Sequence, residues 1–452
     1  MAASPPACFK AYDIRGKVPE ELHPELAVAI GRSFAAVHGL RKVAVGRDIR
    51  LSSPALASAL SDGLRDMGAT VVDLGLCGTE EIYHAAFSMA GEGVDGGVIV
   101  TASHNPADYN GMKFVLAGAR PVTGEGGLAA MAEMIASGSL PPPAVQRGAI
   151  VPRDNRAAYI AHLLGSIDPK GLAPLKIVTN AGNGCAGPII DRLAEQLPLE
   201  FISLNHRPDG TFPKGVPNPL LPEKRAETAA AVVHHRADMG IAWDGDFDRC
   251  FFWDERGEFI EGYYLVGLLA RAMLLHNPGA KILYDPRLVW STEEDIRQAG
   301  GIPVLSRTGH AFIKERMRAE DALYGGEMSA HHYFRDFGYC DSGMIPWLLV
   351  AELLSRSGRP LSEMVAARQL AYPVSGEINR RVADPDAVIA RIKKAYAGGA
   401  CDYTDGLSVA FADYRFNVRK SNTEPLLRLN VESRGDTALL QAKTAELLEL
   451  IG

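Results

Sequence analysis

No apolar run in this 452-residue chain approaches the roughly 20 residues that a membrane-spanning helix needs, so no membrane partner is expected. The first residues, Met1 to Ala7, lack a charged segment followed by an apolar one; no signal peptide is expected, and the expected location is the cytoplasm. Cysteine is scarce. Cys8, Cys77, Cys185, Cys250, Cys340 and Cys401 are scattered without a C-x-x-C pair. That spacing argues against zinc and disulfides and for free, mostly buried thiols in a reducing compartment. No basic tract interleaves with aromatics, and the formal net charge is -7, so no nucleic-acid partner is expected. An anionic substrate must then be met by local cations rather than by the field of the whole molecule. Two catalytic signatures are also missing: the G-x-S-x-G nucleophile elbow and the G-x-x-x-x-G-K-[ST] phosphate loop.

What is present is a strand–helix–strand rhythm. With 47% hydrophobic residues the chain can bury sizeable cores, and its length suggests three or four domains. The spacing of Leu26, Ile30, Phe34 and Val37 predicts a helix opened by Pro24. Lys42 to Gly46 reads as a strand, Ser53-Pro54 as a helix start, and Thr70 to Leu74 as the next strand. Gly138 to Pro143 is the clearest linker. The rhythm restarts after it, with strands at 175–179, 201–204 and 238–243, and again at 280–284, 303–305 and 323–324. Three α/β domains of similar plan are expected. From about residue 370 a smaller α+β unit follows, with Asn417 to Leu429 in a loop between strands and a closing helix from about Thr437.

Four stretches carry chemistry. Thr101-Ala102-Ser103-His104-Asn105-Pro106 follows the apolar run Gly97 to Val100, which puts the Ser103 hydroxyl in a tight polar loop just past a strand end, where α/β sheets bind ligands. Ser103-His104 does not read as a nucleophile–base pair, because neighbours in an extended loop diverge. Asp244, Asp246 and Asp248 follow a strand at i, i+2 and i+4 and point to one side if the loop is extended. Three such carboxylates repel unless a hard divalent cation, Mg²⁺ or Ca²⁺, joins them. An EF-hand is excluded, because Arg249 stands at the position that needs glycine. Glu327 and Ser329, two apart in a glycine-started loop, suit adjacent sugar hydroxyls, while the adjacent His331 and His332 do not converge on one ion. Arg419-Lys420-Ser421-Asn422-Thr423-Glu424-Pro425 joins cations to small hydrogen-bonding side chains, the makings of an anion nest. Thr308-Gly309-His310 ends a strand, where the imidazole suits phosphate orientation, proton transfer or a purely structural role. Gly182 to Gly187 fits G-x-G-x-x-G, but the next strand ends in Asn205 rather than an acidic residue; close helix–strand packing suits these glycines better than a dinucleotide.

In this order the stretches resemble the α-D-phosphohexomutase family, over nearly the whole chain from Tyr12-Asp13-Ile14-Arg15-Gly16 to Arg428. Glu-Met-Ser in the sugar loop looks like the bacterial phosphomannomutase or dual phosphomannomutase/phosphoglucomutase branch. The resemblance implies three similar α/β mixed-sheet domains plus a smaller C-terminal α+β domain around a central cleft, with boundaries at 1–145, 146–255, 256–370 and 371–452. It implies Ser103 as the phosphorylated residue, with Ser103, Asp244, Asp246 and Asp248 holding Mg²⁺. Lys113, Arg249 and His104 would stand beside the serine, and Tyr12, Arg15, Arg287 and His310 in the cleft. Glu327 and Ser329 would hold the sugar, and Arg419, Ser421, Asn422, Thr423 and Arg428 the phosphate not being transferred. The expected reaction interconverts mannose 6-phosphate and mannose 1-phosphate through a hexose 1,6-bisphosphate, which is also the activator, and feeds GDP-mannose synthesis. Lys113 or His310 is the expected general base, the last domain is expected to hinge, and a monomer or weak homodimer is expected. The rival readings are a glucose-preferring mutase, a dinucleotide-dependent oxidoreductase and a non-catalytic sugar-phosphate binder.

Overall fold

The computed structural model describes residues 4–420 and 426–452, and the chain divides into two compact units. The first comprises Met1–Phe259 with Tyr333–Gly358, the second Ile260–His332 with Arg359–Gly452.

The first unit is built on two mixed sheets. In one, Gly96–Val100, Lys42–Arg47, Thr70–Leu76 and Ile150–Pro152 run parallel, and Tyr109–Leu116 returns antiparallel beside Gly96–Val100 with Ile14–Lys17 on its outer side. The β-branched residues Val43, Val45, Val71 and Val98 turn into a core closed by helices Pro24–His38 and Ser53–Asp66. Both helices carry proline in the first turn, where its missing N–H costs nothing. In the other sheet Glu200–Leu204, Lys176–Asn180 and Met239–Trp243 run parallel and Cys250–Trp253 turns back antiparallel. The serine loop follows Gly96–Val100 and the aspartate loop follows Met239–Trp243. Each therefore leaves the C-terminal end of a fully buried parallel strand, the position that sheet polarity reserves for ligands.

In the second unit Ile302–Leu305, Lys281–Tyr284 and Tyr324–Gly326 run parallel. The C-terminal sheet is antiparallel throughout, in the order Ile378–Arg381, Leu426–Ser433, Tyr414–Lys420, Leu407–Ala410, Ala400–Asp402. Helices Pro385–Ala395 and Thr437–Ile451 bury Val388, Ile392, Leu440, Leu447 and Ile451 in the core it shares with Phe416, Val418 and Leu429.

One expectation changes here. Asn417–Lys420 and Leu426–Leu429 lie in paired strands, not in a loop, because Phe416, Val418, Leu427 and Leu429 alternate into the core with period two. A buried network joins the C-terminal sheet to the rest of the second unit. Arg415 donates to Glu432 (2.8 Å) and to the carbonyls of Pro286 (2.7 Å) and Arg287 (3.1 Å), and Glu432 accepts from Tyr263 (2.6 Å) and the Val289 N–H (2.7 Å). The six cysteines are unpaired, and only Cys401 is exposed.

Candidate active site

The serine loop closes tightly because Ser103 takes a left-handed backbone, φ 49°, a conformation costly for any residue but glycine and maintained only when neighbours enforce it. Arg50 supplies much of that enforcement. Its buried guanidinium donates to the carbonyls of Ser103 (2.9 Å), Asn105 (2.6 Å), Pro106 (2.7 Å) and Tyr109 (2.8 Å), while Asp48 lies 3.4 Å from its Nε. Arg15 adds bonds to the Ala102 carbonyl (3.0 Å) and Asn105 Oδ1 (2.5 Å). The Ser103 N–H donates to Thr101 Oγ1 (2.9 Å).

The turn also brings His104 back onto its neighbour, with Nδ1 3.0 Å from Ser103 Oγ. The expectation that these two diverge fails because it assumed an extended loop. Arg249 Nη2 faces the same Nδ1 at 2.5 Å. Burial, with Arg249 and Arg15 adding to it, holds the His104 imidazole neutral, well below the usual histidine range.

The aspartates converge, but not by alternation. The loop is a turn in which the Phe247 N–H donates to the Asp244 carbonyl (3.2 Å) and Phe247 itself is left-handed, φ 49°. Their carboxylate oxygens come within 4.8 Å of one another, and all three residues are buried. Ser103 Oγ donates to Asp244 Oδ2 at 2.6 Å, so a fourth oxygen adjoins the cluster. Lys113 Nζ stands 2.8 Å from Asp246 Oδ2 and 2.5 Å from Asp248 Oδ2, and Thr79 Oγ1 donates to Asp246 Oδ2 at 2.5 Å. Burial works against the lysine's charge, but Asp246 and Asp248 outweigh it and hold the ammonium charged. Burial pushes Asp244 up, Asp248 and Asp246 adding to it, while the Arg249 guanidinium at 2.8 Å opposes. Asp246 Oδ1 is buried with no hydrogen-bond partner among the described residues. An all-oxygen, strongly anionic cluster with an unsatisfied buried oxygen fits a hard divalent cation.

The two loops touch through glycine. A Cβ on Gly245 would lie 2.6 Å from the Ser103 carbonyl oxygen. One on Gly184 would lie 2.8 Å from the Gly245 carbonyl oxygen, so the G-x-G-x-x-G stretch meets the aspartate loop at Gly184.

In the second unit Arg287 joins the remaining candidates. It grips Asp285 (2.9 and 2.7 Å), donates to Ser329 Oγ (3.3 Å), and lies 3.5 Å from Glu327 Oε1. Glu327 Oε1 also accepts from the Gly309 N–H (3.0 Å), next to His310 at the start of helix His310–Glu320. Arg419 and Arg428 face each other across paired strands. Between them and Arg287 stands Glu377, a residue that sequence reasoning missed, as it missed Arg50. Burial tends to raise the Glu377 carboxyl, but Arg287, Arg419 and Arg428 outweigh it and hold it below the usual carboxylate range. Tyr12 is half-buried just before strand Ile14–Lys17. Ser421, Asn422 and Thr423 lie outside the described residues.

Four family models cover this arrangement: phosphoglucomutase/phosphomannomutase α/β/α domain I over residues 6–139, domain II over 157–257, domain III over 261–372 and the C-terminal domain over 377–450. The chain belongs to the phosphoglucomutase/phosphomannomutase family. It is 58% identical over 452 residues to the phosphomannomutase of Salmonella montevideo, with 98% of each chain covered. It is 57% identical over 448 residues to the phosphohexose mutases of Xanthomonas campestris pv. campestris, again with 98% of each covered. Among solved structures, a phosphoglucomutase/phosphomannomutase family protein of Burkholderia thailandensis matches with a TM-score of 0.88 at 32% identity, covering 99% of this chain and 98% of that one. The four stretches that carry the chemistry all fall within the matched spans of this family.

Proposed function

We propose that the chain catalyses the phosphomannomutase reaction, interconverting mannose 6-phosphate and mannose 1-phosphate through phosphoserine at Ser103 and a hexose 1,6-bisphosphate. The observation that carries this reading is a buried serine hydroxyl 2.6 Å from one carboxylate of a three-aspartate cluster, flanked by Lys113 and Arg249. Identity to curated phosphomannomutases over 98% of the chain supports the mannose assignment. The division into domains at 1–145, 146–255, 256–370 and 371–452, the cytoplasmic location, the monomer or weak homodimer, and the supply of GDP-mannose synthesis belong to the same proposal. Among the described residues no helix is long and apolar enough to cross a membrane.

In the forward half-reaction the bond from Ser103 Oγ to phosphorus breaks, a bond from phosphorus to a sugar hydroxyl forms, and the hydroxyl proton passes to a base. Lys113 is engaged by Asp246 and Asp248, so we assign that base to His310, which shares the second unit with Glu327 and Ser329. Arg249 and Lys113 supply fixed positive charge beside Ser103, the dominant need in phosphoryl transfer. Ser103, Asp244, Asp246 and Asp248 would hold Mg²⁺, which when bound neutralises charge on the transferring group. The imidazole of His104, neutral and 3.0 Å from Ser103 Oγ, steadies the hydroxyl. Arg419 and Arg428, with Ser421, Asn422 and Thr423, would hold the other phosphate, and Glu327 and Ser329 the sugar hydroxyls.

The direct test is ³¹P NMR of the purified protein with Mg²⁺ and a trace of glucose 1,6-bisphosphate, offered mannose 1-phosphate and glucose 1-phosphate in parallel tubes. Conversion of mannose 1-phosphate to its 6-phosphate is expected, and the rate ratio between tubes reads the sugar preference. No conversion in either tube would sink the mutase. Metal removal should act on the same assay. Treatment with EDTA is expected to lower the rate by about a hundredfold or more, with Mg²⁺ restoring it, since three carboxylates this close are poorly arranged without a cation. Activity untouched by the chelator would refute the metal role. Gly245→Ala is expected to force the aspartate and serine loops apart and to cut kcat about a hundredfold, the usual cost of a misplacement near 1 Å. A change confined to KM would place the contact outside the reacting centre.

A further inference from the structure

Glu377 occupies an unusual place for a carboxylate, inside the cluster of cations to which the mutase reading gives the sugar phosphate's anchored phosphate. Its Oε2 lies 3.1 Å from Arg419 Nη2 and 3.7 Å from Arg287 Nη1, and its Oε1 lies 3.5 Å from Arg428 Nη1. Two carboxylate oxygens cannot satisfy three guanidinium groups. Arg419 is 8% exposed, and its Nε, like that of Arg428, is buried with no hydrogen-bond partner among the described residues. The cluster is therefore held in shape, with Arg287 satisfied by Asp285 and with Arg419 and Arg428 short of acceptors among the described residues. A phosphate dianion would fill that shortage, but it would do so beside a resident negative charge that weakens its hold.

A mutase needs such a compromise. The bisphosphate must release one phosphate from this site, turn over and present the other without leaving. Arginines stripped of every anion would repel one another and resist that release, whereas arginines with a resident partner do not. We propose that Glu377 is a positioning residue that competes with the anchored phosphate, keeping Arg287, Arg419 and Arg428 in place while the bisphosphate reorients. Arg287 also donates to Ser329 and lies beside Glu327, so the exchange of partners at Glu377 reaches the sugar loop as well. The inference rests on the mutase reading for its consequence in turnover, but not for the competition itself.

The test separates the two. Inorganic phosphate and mannose 6-phosphate are titrated calorimetrically into the wild-type protein, Glu377→Asp and Glu377→Gln, and kcat and KM for mannose 1-phosphate are measured on each. Loss of one nearby like charge is expected to tighten phosphate binding about tenfold in the glutamine variant, the size of a one-unit charge interaction. The aspartate variant, whose carboxylate retreats by one methylene, is expected to fall between, and it carries the test if the glutamine variant does not fold. KM is expected to fall in the same order, with kcat falling as release slows. Weaker phosphate binding with a raised KM would mean that Glu377 only braces the arginines, and unchanged affinity would mean no competition; either overturns the inference. A wild type that binds phosphate competitively with Glu377 yet converts no sugar phosphate would overturn the mutase reading instead.

Discussion

Ser103→Ala is expected to lower the rate of mannose 1-phosphate conversion by roughly 10⁴-fold or more, the scale seen when a covalent nucleophile is removed. The loss should fall almost entirely on kcat. Ser103 Oγ stands 2.6 Å from Asp244 Oδ2, and alanine offers no atom to which phosphorus can bond. The fold should tolerate the change. The deleted oxygen leaves Asp244 with its contacts to Arg249 at 2.8 and 3.0 Å, and the Arg50 bond to the residue-103 carbonyl does not involve the side chain. Stability is expected to shift by no more than about 1–2 kcal/mol, the range for one buried hydrogen bond. A second readout separates a nucleophile from a mere binding contact. Wild-type protein incubated with glucose 1,6-bisphosphate should gain one phosphoryl group on the peptide containing Ser103, detected by mass spectrometry, and the variant should gain none. Equal sugar-phosphate binding in both, with no phosphopeptide in either, would leave a binding protein and no mutase.

Much of this site was legible because its signals are local. An apolar run ending in Asn105-Pro106 announces a polar loop past a strand, and three aspartates at alternate positions announce a cation site whatever the backbone does between them. The geometry behind those signals was not legible. The aspartates meet through a left-handed Phe247, and His104 folds back on Ser103 through a left-handed Ser103. Neither residue type favours that conformation, so only the tertiary contacts that enforce it reveal it. Arg50 and Glu377 were missed for a related reason. Each is a single charged residue whose distant partners lie about 40 to 90 residues away, at 103–109 for Arg50 and at 287, 419 and 428 for Glu377. Arg50 did carry one signal, its place in the charged loop Arg47-Asp48-Ile49-Arg50 directly after a buried strand.

Arg50→Ala is the larger structural perturbation, and its effect should be felt in both stability and rate. The side chain is 1% exposed, and its guanidinium satisfies four carbonyls of the 103–109 loop. Removing it takes from those carbonyls the donor they share, and leaves the buried Asp48 without its cation. Breaking a buried pair from one side typically costs about 3–5 kcal/mol, and a denaturant or thermal transition of the first unit should report a loss of that order. Asp48 retains bonds from the Arg50 N–H, which any residue there supplies, and from Ser53 Oγ, so collapse of the whole unit is not expected. The rate should suffer beyond the stability. With its clamp gone the loop can relax Ser103 out of φ 49°, moving Oγ away from Asp244, and kcat is expected to fall about a hundredfold or more while KM moves far less. Arg50→Lys tests the cause. An ammonium is a point charge with three donors and cannot span four carbonyls that a planar guanidinium reaches together. The lysine variant should therefore recover part of the stability, through Asp48, and little of the rate. Recovery of both to the same extent would mean that charge alone holds the loop, and a folded Arg50→Ala protein with wild-type kcat would remove Arg50 from the catalytic apparatus altogether.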